Sequence, residues 1–86
     1  MSKLKKYRKE IDKIDNKIIK LISERFETVQ KIWKFKKENN IEALQEDRWK
    51  EVIQNRKSIA ENYWISTEFI EKIWNEIHKE TLELQK

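Results

Sequence analysis

The stretch LKKYRKEIDKIDNKIIKLISERFETVQKIWKFKKE, residues 4–38, decides the fold. Its apolar residues fall at Leu4, Tyr7, Ile11, Ile14, Ile18, Leu21 and Ile22, then at Val29 and Ile32. Steps of three and four put them on one stripe of an α-helix, and nothing between Lys5 and Glu38 interrupts it. A helix of about 34 residues runs roughly 50 Å at 1.5 Å per residue. A compact globule of this chain length has a radius of gyration of only about 12 Å. One chain is too small to cover such a helix, so the stripe implies a second subunit lying along it.

Downstream, Asn39-Asn40 ends the helix, because asparagine tolerates the left-handed conformation that glycine usually supplies. A short loop, Ile41 to Gln45, leads to a second helix expected from about Glu46 to Glu61. Its stripe is Trp49, Val52, Ile53, Arg56, Ile59 and Ala60. Asn62 to Ile65 forms the next connection. Ser66 is the expected N-cap of a third helix carrying Phe69, Ile70, Ile73, Trp74, Ile77, Thr81 and Leu84. The composition agrees with this plan. The 86 residues include no Gly, no Pro and no Cys, and 42% are charged. Tight β-turns depend on the positive φ that glycine provides, so a β fold is excluded. Without cysteine there is neither a disulfide staple nor a thiolate metal site. The expected fold is all-α, a single helical domain over residues 1–86, associated as a homodimer.

Charge narrows the function only a little. Twenty Lys and Arg against 16 Asp and Glu leave a net +4, interleaved with acids along the chain. That balance suits a small anionic ligand as well as a nucleic acid. The segment from Met1 to Arg8 is basic but lacks the apolar core of a signal peptide. No apolar run approaches membrane-spanning length, so no membrane partner and a cytoplasmic address are expected.

More telling are polar residues where the stripes call for apolar ones. Arg25 and Lys36 are close to three whole turns apart on the first helix and share its apolar face. On the third helix, Thr81 and Gln85 follow Ile77 by successive steps of four. A cation on a buried face needs a partner, or it costs several kcal/mol. The chain uses Lys sixteen times and Arg only at Arg8, Arg25, Arg48 and Arg56. The planar guanidinium fork grips carboxylates bidentately, which Lys does poorly. Arg25 therefore reads either as a structural ion-pair partner or as part of a buried anion site. Arg8 and Arg25 stand roughly 25 Å apart along one helix, so both serve a single small ligand only if Arg8 comes from the other subunit. Arg56 reads as a stem packed on an interface, and His78 as a packing or surface residue. The four tryptophans read as filling for core or interface, although Trp64 falls in a connection where small residues are usual.

Tyr7-Arg8-Lys9-Glu10-Ile11-Asp12-Lys13-Ile14-Asp15 resembles the opening of the all-helical chorismate mutases, the AroQ class. Ile22-Ser23-Glu24-Arg25-Phe26 with Val29, then Phe35-Lys36-Lys37, Glu46-Asp47-Arg48 and Thr81-Leu82-Glu83-Leu84-Gln85 continue the resemblance over nearly the whole chain. It implies an intertwined dimer of three-helix chains with two active sites, each built from both subunits. The implied substrate is chorismate, a dianion that rearranges to prephenate in an intramolecular [3,3] shift. No metal, cofactor, nucleophile or nucleic acid is implied. The reaction needs a clamp on one conformer and positive charge where the ether oxygen turns negative. By the resemblance, Arg25 and the partner's Arg8 bind the carboxylates, and Lys36 and Gln85 donate to the ether oxygen. Thr81 contacts a carboxylate, Arg48 completes the polar wall, and Gln45 stands near the substrate hydroxyl.

Two features depart from the family's pattern. Trp49 stands where these mutases commonly carry a Glu that accepts from the ring hydroxyl, and Trp64 stands where relatives usually place Gly. An apolar residue after Arg48 is also found in the related isochorismate-pyruvate lyases, which leaves that activity as an alternative. A non-catalytic helical dimer of the same fold is the other.

Overall fold

The computed structural model describes residues 2–42 and 46–85. They form three helices, α1 Ser2–Glu38, α2 Glu46–Asn62 and α3 Thr67–Gln85, and no strand. The all-α expectation holds, and each helix boundary has a local cause.

α1 starts three residues before the expected Lys5, since neither Gly nor Pro stands there to stop it. It ends at the asparagine pair. Asn40 takes φ 54°, Ile41 N–H donates to the Lys36 carbonyl at 2.8 Å, and Asn39 N–H donates to the Phe35 carbonyl at 3.1 Å. The Asn39 side-chain amide donates to the same Phe35 carbonyl at 2.8 Å. Carbonyls that the last turn leaves without helical partners are thereby satisfied, in the six-to-one pattern of a Schellman cap. Lys36 and Lys37 lie in that turn, where the negative end of the helix dipole favours cations.

α2 closes with the same device and a stranger residue. Ile65 N–H donates to the Ala60 carbonyl at 2.9 Å and Trp64 N–H to the Glu61 carbonyl at 3.2 Å. The left-handed position between them is Trp64, at φ 60°. A β-carbon there costs roughly 1–2 kcal/mol relative to glycine. Trp64 is 96% exposed in the single chain, so it fills no part of the core. Ser66 then caps α3 as expected, its Oγ accepting from Phe69 N–H at 3.2 Å while its carbonyl accepts from Ile70 N–H at 3.1 Å.

The chain groups into two compact units, Met1–Ile32 and Trp33–Lys86. The first lies within α1, of which no described residue is buried. Its stripe stays open to solvent: Ile11, Ile14, Ile18 and Leu21 are all about half exposed or more. In the second unit α2 and α3 pack side by side. Val52 and Ala60 from α2 and Thr81 from α3 are its buried residues. Lys57 Nζ meets Glu71 Oε1 at 2.9 Å. Trp49 stacks on His78 with ring centroids 4.0 Å apart and planes 17° from parallel. These two cross-helix pairs keep one antiparallel register, set by the short connection between the helices.

Candidate active site

The second unit brings together the end of α1 and the end of α3. Trp33, Lys34, Lys36, Lys37, Ile41 and Gln85 line an open pocket of about 520 Å³, within the usual range for small-molecule sites. Two residues singled out in the sequence, Lys36 and Gln85, are thus both in its lining. They reach it for separate reasons. Lys36 is half-buried on the last turn of α1, while Gln85 is the last residue of α3 and exposed. The Lys36 ammonium only donates, and the Gln85 amide can turn its –NH₂ toward a developing anion while its carbonyl oxygen stays an acceptor. Among the described residues the lining carries three cations and no carboxylate. A small anion is the ligand class that such a wall favours.

Thr81, one turn before Gln85 on α3, is 6% exposed. Its Oγ has no hydrogen-bond partner among the described residues. A buried hydroxyl left without a partner costs roughly 1–3 kcal/mol, and a fold keeps such a group where something else engages it. Arg48 opens α2 and is turned along its own helix, Nη1 donating to Glu51 Oε1 at 2.8 Å in an exposed ion pair. Solvent screening leaves such a pair little to contribute, so the guanidinium remains easy to recruit. Arg8 and Arg25 belong to the first unit; Arg8 is exposed and Arg25 half-buried and engaged by a neighbour. Gln45 lies outside the described residues.

The structure also places side chains that the sequence reading left aside. Trp33, Lys34, Lys37 and Ile41 share the pocket with Lys36 and Gln85. The run of lysines at the end of α1 was a visible signal for two of them, obscured by the fact that cations favour any helix C-terminus. Trp49 and His78 were each noticed singly; only the pairing of α2 with α3 makes them a stack. Arg56 is half-buried, and its guanidinium makes a local bond, donating to Asn55 Oδ1 at 2.6 Å.

Residues 7–86 match the family described as Chorismate mutase type II. The chain belongs to that family. It is also 35% identical over 80 residues to a bifunctional chorismate mutase/prephenate dehydratase of Buchnera aphidicola subsp. Acyrthosiphon pisum. The alignment covers 93% of this chain and 21% of the relative, so the chain spans about a fifth of that protein's length. No solved structure matches significantly. Neither the lyase nor the non-catalytic reading gains support from these matches. No described helix is long and apolar enough to cross a membrane.

Proposed function

We propose that this chain rearranges chorismate to prephenate, as a cytoplasmic homodimer whose two sites each draw on both copies. The observation that carries the reading is that Lys36 and Gln85, far apart in sequence, both line one open pocket. In the rearrangement the ether C–O bond breaks as a C–C bond forms within the same molecule, so no atom enters or leaves. Nothing is asked of a nucleophile or a proton donor. The barrier falls through restriction to the reactive chair and through cations placed where charge develops.

In this proposal the Lys36 ammonium and the Gln85 amide donate to the ether oxygen as it gains negative charge. Arg25 and Arg8 of the partner subunit grip the two carboxylates, which sets the conformer. The bare Thr81 hydroxyl donates to a carboxylate, Arg48 leaves Glu51 to complete the wall, and Gln45 stands near the ring hydroxyl. The open stripe of α1 supports the dimer, because a second copy supplies both the cover for that stripe and the distant Arg8.

The test is an ultraviolet assay of chorismate loss, followed by complementation. Arg8→Ala and Arg25→Ala each leave a carboxylate unpaired and reduce kcat/KM by at least about a hundredfold, or 2.7 kcal/mol, as expected for a lost charge-assisted contact. Mixing the two inactive variants restores activity, because random heterodimers carry one site with both arginines intact. Absence of turnover in the folded parent chain overturns the activity. No recovery after verified subunit exchange overturns the shared site.

A further inference from the structure

Three lysines border the candidate pocket, and the proposed chemistry uses only the middle one. Lys34 and Lys37 flank Lys36 on the last turns of α1 and line the same 520 Å³ opening. Both are exposed, and neither is held in an ion pair with a described residue. Among the described residues, no acidic side chain on the lining offsets them. We infer that Lys34 and Lys37 form an electrostatic funnel that concentrates the dianionic substrate at the mouth of the site without touching the reacting atoms. The inference rests on the mutase reading for its choice of substrate and assigns these two residues a part in binding alone.

The size of the effect follows from charge and screening. A Lys about 8 Å from a dianion interacts across one Debye length at physiological ionic strength. Two such lysines raise affinity about tenfold at ~0.01 M salt, about threefold at ~0.15 M, and not measurably at ~1 M. The competing explanation is that cations near the end of α1 merely complement its dipole, which favours Lys37 over Lys34 and acts on stability, not on substrate affinity.

The test compares the parent with Lys34→Gln/Lys37→Gln and Lys34→Arg/Lys37→Arg, using KM and kcat for chorismate at those three salt concentrations. The Gln pair is expected to raise KM about tenfold at low salt, with the difference closing by ~1 M and kcat unchanged. The Arg pair keeps the charge and behaves as the parent. A second readout needs no turnover. Trp33 lines the same pocket and is half-buried, so its fluorescence samples ions there. Measured in a Trp64→Phe background, which removes the fully exposed indole, quenching by iodide at fixed ionic strength is expected to fall in the Gln pair and recover in the Arg pair, while quenching by neutral acrylamide stays constant. A KM difference independent of salt, or iodide quenching that does not respond to the two charges, overturns the funnel. If the parent turns over no chorismate, the mutase reading fails by itself and the iodide measurement still decides the funnel.

Discussion

Ile14→Ala probes the step on which the shared site depends, the covering of α1 by a second copy. Ile14 lies mid-stripe and is 50% exposed in the single chain. Replacing Ile by Ala removes three carbon groups worth about 0.8 kcal/mol each when fully buried. About half of that burial remains for a partner to provide, which gives about 1.2 kcal/mol per copy. The symmetric dimer carries the change twice, so dimerisation weakens by about 2.4 kcal/mol, a rise in Kd of roughly sixtyfold. Sedimentation velocity across a dilution series reads the midpoint directly, with the parent expected at twice its 10.7 kDa chain mass. Lys13→Ala, on the polar side of the same helix, is the control and leaves the midpoint in place. Activity of Ile14→Ala at fixed substrate falls on dilution along the same curve, because each site needs both chains. A parent chain that stays folded and monomeric at tens of micromolar, or a variant whose midpoint equals the parent's, refutes the reasoning.

Three other outcomes are expected. Trp64→Gly relieves the left-handed strain at φ 60° and stabilises the fold by about 1 kcal/mol per chain, read by urea denaturation at fixed protein concentration; a destabilised variant shows that the exposed indole has a partner. Ser66→Ala removes the acceptor for Phe69 N–H and costs about 1 kcal/mol in the same assay, whereas Ser66→Asp retains the cap. Gln85→Glu keeps the shape of the side chain but donates only when protonated, and an ordinary Glu ionises near about pH 4.3. Its kcat is therefore expected to fall as pH rises above about 5 while the parent's stays level between about pH 6 and 8; equal profiles remove Gln85 from the transition state.

How much was legible in the sequence differs from helix to helix. α1 was readable almost residue by residue, because an unbroken period of three and four over so long a stretch admits no other regular structure. Its end at Asn39-Asn40 and the Ser66 cap were equally visible, since each depends on what one side chain does for nearby backbone groups. Trp64 was visible only as an oddity. The left-handed position is imposed by the bonds of Ile65 and Trp64 to the end of α2, and no propensity assigns a Trp to it.

The candidate site divides along the same line. Periodicity alone flagged Arg25, Lys36, Thr81 and Gln85, because a polar residue on an apolar stripe is anomalous wherever the helix lies. It did not say that Lys36 and Gln85 line one pocket, that Thr81 Oγ is buried without a partner among the described residues, or that Trp49 lies on His78. Those are relations between helices, settled by the register of α2 on α3 and by where α1 stops. Sequence by itself determined which residues each helix exposes on each face, since 3.6 residues per turn is a property of the backbone. Tertiary structure decided which of those faces meet, because that depends on loops and packing that no single helix contains.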